Sequence, residues 1–186
     1  GAAVLNNGFN NTFAGGDGVA LFGNDGAGNT THPTLAGTFR NQPAVAADCN
    51  ETSLEQAMID ISALTDERGL KIAARGTKMI VPPQLQFVAD RLLNTEGRTG
   101  TADNDINAIK NMGMVSGGYV VNHYLTDPDA WFVKTDVPNG LKHFSRSPIK
   151  TTMEGDFDTG NVRYKARERY VFGFSDPRGI YGNPGA

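Results

Sequence analysis

The chain has 186 residues and a formal net charge of −3, with 39% hydrophobic and 20% charged residues. This length suffices for one large domain or two small ones, and the slight acidity excludes the global positive field of a dedicated nucleic-acid-binding protein. A single cysteine, Cys49, excludes an internal disulfide framework and a cysteine-rich zinc site. We expect no membrane span, because no apolar run approaches about 18 residues and no secretory signal occurs. The chain begins at Gly1 rather than Met, which predicts a fragment, a processed product or an incompletely described chain.

Residues 1–48 are predicted to be irregular, because pairs such as Asn6-Asn7 and Gly15-Gly16 are typical of turns. Residues 19–22, Val-Ala-Leu-Phe, form a short apolar segment that we call the plug. Long irregular segments are uncommon in compact domains, so we expect residues 1–48 to be ordered mainly by contacts with a neighbouring subunit. The glycine spacing fits neither the dinucleotide fingerprint nor the Walker loop, and no cofactor is predicted.

Residues 52–68 form the clearest predicted helix. A capping box, Thr52 with Glu55 or Ser53 with Gln56, would begin it, and Gly69 would close it in the left-handed conformation. Its apolar residues recur at helical spacing: Leu54, Ala57, Met58, Ile61 and Leu64.

Two further helices follow. Residues 84–93 form an amphipathic helix whose apolar face is Leu85, Val88, Ala89 and Leu92. After an exposed loop over 94–103, Asp103 or Asp105 is expected to cap a short helix. That helix would carry Ile106 and Ile109 and close at Gly113.

The strands predicted before residue 150 are 78–81, which stops at Pro82-Pro83, and 119–125, 130–134 and 142–146, which turn-forming residues separate. Helices followed by turn-linked strands predict an α+β fold with a largely antiparallel sheet. The two longer helices are expected to pack on a sheet that contains 78–81 and 119–125. Their shared core would be Ile80, Val81, Leu85, Val88 and Leu92 with Leu54, Met58 and Ile61.

Residues 161–178, NVRYKARERYVFGFSDPR, have the period of two that is typical of a half-buried strand. One face carries Val162, Tyr164, Ala166, Tyr170, Phe172 and Phe174, with Glu168 as its one charged residue. The other face carries Arg163, Lys165, Arg167 and Arg169, which we call the cationic face. A strand of about fourteen residues exceeds the usual length, so one end is expected to project as a ribbon or to pair outside this chain's core.

The cationic face is the strongest candidate for a functional surface. Four like charges at strict alternation repel one another unless something offsets them. The alternatives are a subunit contact or local pairing with the acidic segment Glu154, Asp156 and Asp158, plain solvation, or nucleic-acid binding. Because the chain is acidic, the subunit contact or local pairing is preferred.

Other reactive side chains give no predicted catalytic, cofactor-binding or metal site. His32, His123 and His143 lack a second ligand at metal-binding spacing, and His123 falls within a predicted strand. The pairs Asp127/Asp129 and Asp156/Asp158 could bind calcium, but they lack the rest of an EF-hand loop and are better explained as turn formers. The sequence identifies no general base for Cys49.

Five stretches resemble a known family in their order and spacing. They are DGVALFG at 17–23 followed by His32-Pro33, SLEQAMIDISALTDERGLKI at 53–72, KMIVPPQLQFVADRLL at 78–93, YLTDPDAWFVKTD at 124–136 and YKARERYVFGFSDPRGIYG at 164–182. They resemble the C-terminal two-thirds of tailed-phage major capsid proteins of the HK-ninety-seven-like fold, and most closely the Mu-like major head subunit branch.

The resemblance implies a structural subunit that self-assembles into hexamers and pentamers of an icosahedral head enclosing DNA. It implies an axial domain over 50–150 and a peripheral domain from 1–49 and 151–186. The family's N-terminal arm, extended loop and spine helix have no counterpart in this sequence. Either they precede Gly1, in which case this chain alone should not build a shell, or the resemblance does not hold. Implied partners are other copies of the chain, with scaffolding, portal and decoration proteins as candidates and packaged DNA bound only non-specifically. The implied location is the virion capsid, assembled in the host cytoplasm.

Two other function classes stay open at this point. One is a small α+β enzyme that uses Cys49 or one of the Asp pairs, and the other is a phage tail or baseplate protein. The mass of the particle distinguishes the shell protein from the enzyme, since a shell protein forms large rings or particles and an enzyme forms a small oligomer.

Overall fold

The computed structural model describes residues 1–22, 32, 40–98 and 105–186. Its helices are α1 (Ala2–Asn6), α2 (Glu51–Ser62), α3 (Gln86–Asn94) and α4 (Ala108–Asn111), with 3₁₀ turns at Pro83–Leu85 and Pro177–Gly179. Its strands are β1 (Gly76–Val81), β2 (Tyr119–Val121), β3 (Trp131–Thr135), β4 (Leu141–Gly155), β5 (Val162–Phe174) and β6 (Ile180–Asn183).

The main sheet has the strand order β2-β1-β3-β6. Strands β1 and β2 are parallel, whereas β3 runs antiparallel to both β1 and β6. Strands β4 and β5 form a separate antiparallel pair. This arrangement confirms the predicted α+β class with a largely antiparallel sheet.

Each face of the main sheet carries its own core. The first core joins α2, α3 and α4 to one face and includes Leu54, Met58, Ile61, Met79, Val81, Leu92, Trp131, Val133 and Tyr181. The second core covers the opposite face and includes Leu5, Leu21, Phe22, Ala130, Phe132 and Ile180. Because successive strand residues point to opposite faces, Ile80 packs on the second core, and its predicted place in the core with Leu54 is wrong.

The plug lies in this chain's own second core. Leu21 and Phe22 are almost completely buried there, and the Phe22 ring stacks near Phe9 and Phe132. The Asn41 side chain holds the plug in place by donating to the Leu21 carbonyl at 2.7 Å. The expectation that residues 1–48 are ordered mainly by a neighbouring subunit is therefore wrong for the plug, while residues 23–31 and 33–39 of that segment lie outside the described residues.

Helix α2 begins earlier and ends earlier than predicted. Asn50 is the N-cap and forms a reciprocal capping box with Ser53, so neither Thr52 nor Ser53 begins the helix. The helix ends at Ser62 rather than at 68. Its polar C-terminal sequence instead forms a turn in which the Asp66 carboxylate accepts from the Arg68 and Leu70 amides, because aspartate side chains compete with helical hydrogen bonds.

The later elements are partly as predicted. Strand β1 contains the predicted 78–81, and α3 contains most of 84–93, with Ala89 and Leu92 buried. Asn107 caps α4 by accepting from the Ile109 and Lys110 amides, so the predicted cap at Asp105 is wrong, and Asp103 lies outside the described residues. Gly113 has a positive φ of 61° just after α4, as expected for its C-terminal position.

Strand β2 is shorter than the predicted 119–125, and His123 lies in the turn that follows rather than in a strand. By contrast, β4 extends the predicted 142–146 to fifteen residues. Within the described residues, no helix is long and apolar enough to cross a membrane.

Candidate functional site

Strands β4 and β5 form a long two-stranded ribbon, residues 141–174, that is separate from the main sheet. The predicted projection of the long strand is thus confirmed. The predicted half-burial is wrong, because Tyr164 is 80% exposed and both Val162 and Tyr170 are more than half exposed. The alternation does set which side chains share a face, but β4 is the only strand of the described residues that pairs with β5.

The base of the ribbon is fixed to the rest of the chain. Phe174 packs against the second core, and the Ser175 amide donates to the Gly140 carbonyl at 3.1 Å. Gly140 also lies so close to Gly179 that a Cβ on either residue would meet the other's backbone within 3 Å. These contacts fix the direction in which the ribbon leaves the main sheet.

Two irregularities in β4 adjust its register with β5. The register shifts between Ser145 and Ser147 and again between Ser147 and Lys150, whereas β5 continues without interruption. Each shift places extra β4 residues opposite β5, as in a β-bulge. As a result Lys150 stands directly opposite Arg167, and like charges directly opposite each other destabilise a pair.

The cationic face is largely without carboxylate partners in this chain. Arg163 forms an ion pair with Asp156 at 3.2 Å and stands opposite Glu154. Among the described residues, Lys165, Arg167 and Arg169 form no ion pair with a carboxylate. Local acidic pairing therefore gives one of the four predicted residues a carboxylate partner, although all four are exposed.

Charge is divided unequally between the ribbon and the rest of the chain. Seven of the 17 Lys and Arg residues and four of the 20 Asp and Glu residues lie within 141–174. The ribbon thus carries a formal charge of +3, while the remaining residues carry −6. The ribbon and the remaining residues thus carry net charges of opposite sign.

The opposite face of the ribbon is apolar and aromatic. The His143 ring lies 4.8 Å from the Phe172 ring and 5.4 Å from the Tyr170 ring, measured between centroids. Met153 and Tyr164 stand opposite each other farther along and are both more than two-thirds exposed. Such a row of exposed apolar side chains is typical of a surface that another molecule covers.

The tip of the ribbon is a turn organised by Asp156. Its carboxylate accepts from the Asp158 amide at 3.3 Å and from the Thr159 hydroxyl at 3.0 Å. Phe157, between the two aspartates, is completely exposed. These hydrogen bonds account for Asp156 as a turn former.

The other candidate residues do not assemble a reactive site. The Asp127 carboxylate accepts from the Asp129 amide at 3.0 Å, which is again a turn. No group of three or more potential metal ligands occurs in the described part of the chain. His32 contacts Asp17. Burial raises the pKa of Asp17, but its hydrogen bonds with His32 and the Val19 amide outweigh burial and lower that pKa below its ordinary value of 3.8.

Cys49 has the opposite character to an activated nucleophile. It is buried beside the start of α2, and burial together with the nearby Asp48 charge raises the pKa of its thiol to about 12. A reactive cysteine needs a lowered pKa and access to solvent. The geometry therefore gives no support to an enzyme that uses Cys49.

The sequence analysis did not predict most of β4. It therefore did not predict which β4 residues stand opposite the cationic face of β5. Residues 147–155 mix Pro148, threonines and charges, so they lack a clean alternation. The signal that could have found the strand is the length of β5 combined with the turn at 156–160. A long strand that projects from the sheet and follows a tight turn needs an antiparallel partner of similar length just before that turn.

Comparison with known proteins identifies the family. The family described as phage capsid protein matches residues 1–183. No curated protein matches the chain. Among solved structures, the virus-like particle from Pyrococcus furiosus is 12% identical with a TM-score of 0.42, over 76% of this chain and 55% of that chain.

A chain described as Mycobacterium phage Che8 is 17% identical with a TM-score of 0.43, over 78% of this chain and 54% of that chain. The protein thus spans about half the length of both solved chains. Because the family match extends over nearly all 186 residues, the chain belongs to the phage capsid protein family.

Proposed function

We propose that many copies of this chain assemble through the ribbon into the icosahedral head of a tailed phage, as hexamers and pentamers that enclose DNA. The fold is of the HK-ninety-seven-like type in its Mu-like branch, with an axial part at 50–150 and a peripheral part at 1–49 and 151–186. The ribbon crosses the boundary at 150 and connects the two parts. The role is structural rather than enzymatic, and copies of the chain are the main partners.

One observation carries this proposal: a ribbon of 34 residues is exposed on both faces. An isolated two-stranded hairpin is at best marginally stable in water. A family of capsid proteins provides the condition under which such a ribbon is stabilised, because neighbouring copies cover it in the shell. The exposed aromatic row and the cationic face are then both contact surfaces.

The cationic face, Arg163, Lys165, Arg167 and Arg169, is the part of the ribbon that selects an acidic neighbour. Its charges are exposed, so each ion pair contributes only about 0–1 kcal/mol. Together they steer association and fix its register. The net charge of −6 on the residues outside the ribbon favours attraction between this face and another copy.

The test reverses two charges at once. Arg167→Glu combined with Arg169→Glu should prevent assembly of the full-length protein at low salt, because the face would then repel an acidic neighbour. The chain should still fold, since neither residue belongs to a core. Light scattering across salt concentration measures assembly, and circular dichroism checks folding.

A matched control reverses Arg68 and Lys71, two exposed cations outside the ribbon. This control changes the net charge by the same amount and should assemble like the wild type. If the ribbon variant also assembles like the wild type at low and high salt, the cationic face is solvated and its role as a contact is wrong.

A further inference from the structure

The acidic tip of the ribbon is complementary in charge to a surface at the base of the ribbon. The two lie too far apart on one chain to contact each other. Near the base, a shallow, open surface cavity of about 290 Å³ is lined by six exposed residues, Phe144, Ser145, Arg146, Arg169, Tyr170 and Val171. Phe144 and Val171 stand opposite each other in the register. The cavity therefore combines an apolar pair with two guanidinium groups.

The tip presents the matching groups. Phe157 is completely exposed, and an exposed aromatic ring is a characteristic anchor of protein interfaces. Asp158 next to it uses its amide in the turn, and its carboxylate forms no hydrogen bond or ion pair within the described residues. Asp156 differs, because its carboxylate is occupied by the turn and by Arg163.

The tip cannot reach the cavity of its own chain. Arg169 lies six residues along β5 from Arg163, the cation nearest the tip, which is about 20 Å at roughly 3.3 Å per residue. That separation exceeds both an ion-pair distance and the screening length of about 8 Å at physiological salt. A pairing between the tip and this cavity therefore requires two molecules.

We infer that the tip of one copy docks at the ribbon base of a second copy, with Phe157 against Phe144 and Val171 and Asp158 paired with Arg146 and Arg169. The inference rests on the proposed function and adds a contact between two ribbons, in which Arg169 of the cationic face meets Asp158 of another copy. Each copy carries both halves, so the contact can repeat from copy to copy and forms a ring where the rotation between copies closes. The second copy is the favoured occupant because tip and cavity are complementary in charge and in apolar character.

Two single reversals test the contact in the full-length protein. Asp158→Arg places a cation against Arg146 and Arg169, and Arg169→Asp places a carboxylate against Asp158. Each variant alone should associate about tenfold more weakly than the wild type in sedimentation velocity at low salt. Phe157→Ser removes the aromatic anchor and should weaken association about thirtyfold.

Mixing the two charge variants gives the decisive measurement. An equimolar mixture of the Asp158→Arg chain and the Arg169→Asp chain restores complementarity in both directions, so it should associate nearly as tightly as the wild type. Tyr124→Ser, at an aromatic side chain that is 80% exposed and lies outside the ribbon, serves as the control and should not reproduce the loss seen for Phe157→Ser.

The outcomes separate this inference from the proposed function. If the wild type associates and the Phe157 and Asp158 variants associate equally well, the tip contact is wrong while the proposed shell role stands. If the mixture does not recover, the pairing of Asp158 with Arg169 is wrong. If instead Asp158→Arg tightens and Arg169→Asp weakens binding to a short DNA duplex, with association unchanged, the cavity binds phosphate and the inference is overturned. Failure of the wild type to associate at all would contradict the proposed function itself.

Discussion

The main sheet with its helices and the ribbon are built from similar strand patterns but bury them differently. We call the described residues outside 141–174 the body. In β3 of the body, Trp131, Phe132 and Val133 are almost completely buried, on alternating faces of a sheet that has a core on each side. In β5 of the ribbon, every residue from 162 to 172 is exposed.

The difference shows that an alternating pattern determines which side chains share a face but not what covers that face. The body supplies its own cover, because α2 and α3 pack on one side and the plug packs on the other. Beyond its base at Phe174, the ribbon has no such packing in the described residues. Under the proposed function another copy covers the ribbon in the shell, and we expect the two regions to respond differently to substitution.

The largest expected effect is in the body at Trp131, whose side chain is fully buried and lies 6.5 Å from the Tyr181 ring between centroids. Trp131→Ala should lower the free energy of unfolding by about 3–5 kcal/mol, because it removes the largest side chain of the first core and leaves a cavity. Urea denaturation of the dilute, unassembled chain measures this change. A loss below about 1 kcal/mol would contradict the assignment of Trp131 to the core.

Helix α3 allows a graded test within the body. Leu92 is 4% exposed, so Leu92→Ala should cost about 2–4 kcal/mol. Leu85 lies in the 3₁₀ turn before α3 and is only partly buried. Leu85→Ala should therefore lower the free energy of unfolding by about half as much as Leu92→Ala, because Leu85 buries less of its side chain. Equal losses in urea denaturation would show that the two leucines are buried to the same extent.

A smaller effect is expected from the buried polar contact between Tyr181 and Asp60. The Tyr181 hydroxyl donates to Asp60 at 2.9 Å, and burial followed by the Asp60 charge raises the pKa of that hydroxyl. Tyr181→Phe leaves a buried carboxylate oxygen without its donor and should cost about 1–2 kcal/mol.

The control for this substitution is Tyr119→Phe, since the Tyr119 hydroxyl contacts Asp90 at an exposed position. It should change the free energy of unfolding by less than about 0.5 kcal/mol. If both substitutions lower the free energy of unfolding by the same amount, the Tyr181–Asp60 hydrogen bond is no stronger than a solvent-exposed one.

Local features of the body were largely predictable from the sequence, because their causes lie within a few residues. The stop at Pro82-Pro83 after β1 and the left-handed Gly113 after α4 follow directly from backbone chemistry. The predicted starts of α2 and α4 are wrong, because in each case several nearby residues can act as the N-cap. Asn50 and Asn107 were overlooked in favour of nearby Thr52, Ser53 and Asp105, although asparagine is as good an N-cap as serine or aspartate.

Features set by distant contacts could not be predicted. The placement of Ile80 in the second core depends on the plug, which closes the other face of the sheet from a segment about sixty residues away. The residues opposite the cationic face depend on two register shifts in β4, which place Lys150 opposite Arg167. The cavity that contains Arg146 and Arg169 depends on the same register, so no linear pattern reveals it.

The smallest expected effect is in the ribbon and gives the sharpest contrast with Trp131. Tyr164 is a large aromatic residue but is 80% exposed, so Tyr164→Ala should change the free energy of unfolding of the dilute chain by less than about 0.5 kcal/mol. Amide exchange should likewise be fast across β5 and slow across β3, because exposed hydrogen-bonded strands open locally at low cost. In the assembled protein, β5 exchange should slow while β3 changes little, since only the ribbon gains new cover. Strong protection of β5 in the dilute chain would mean that the ribbon is stable alone, and the distinction between body and ribbon would then fail.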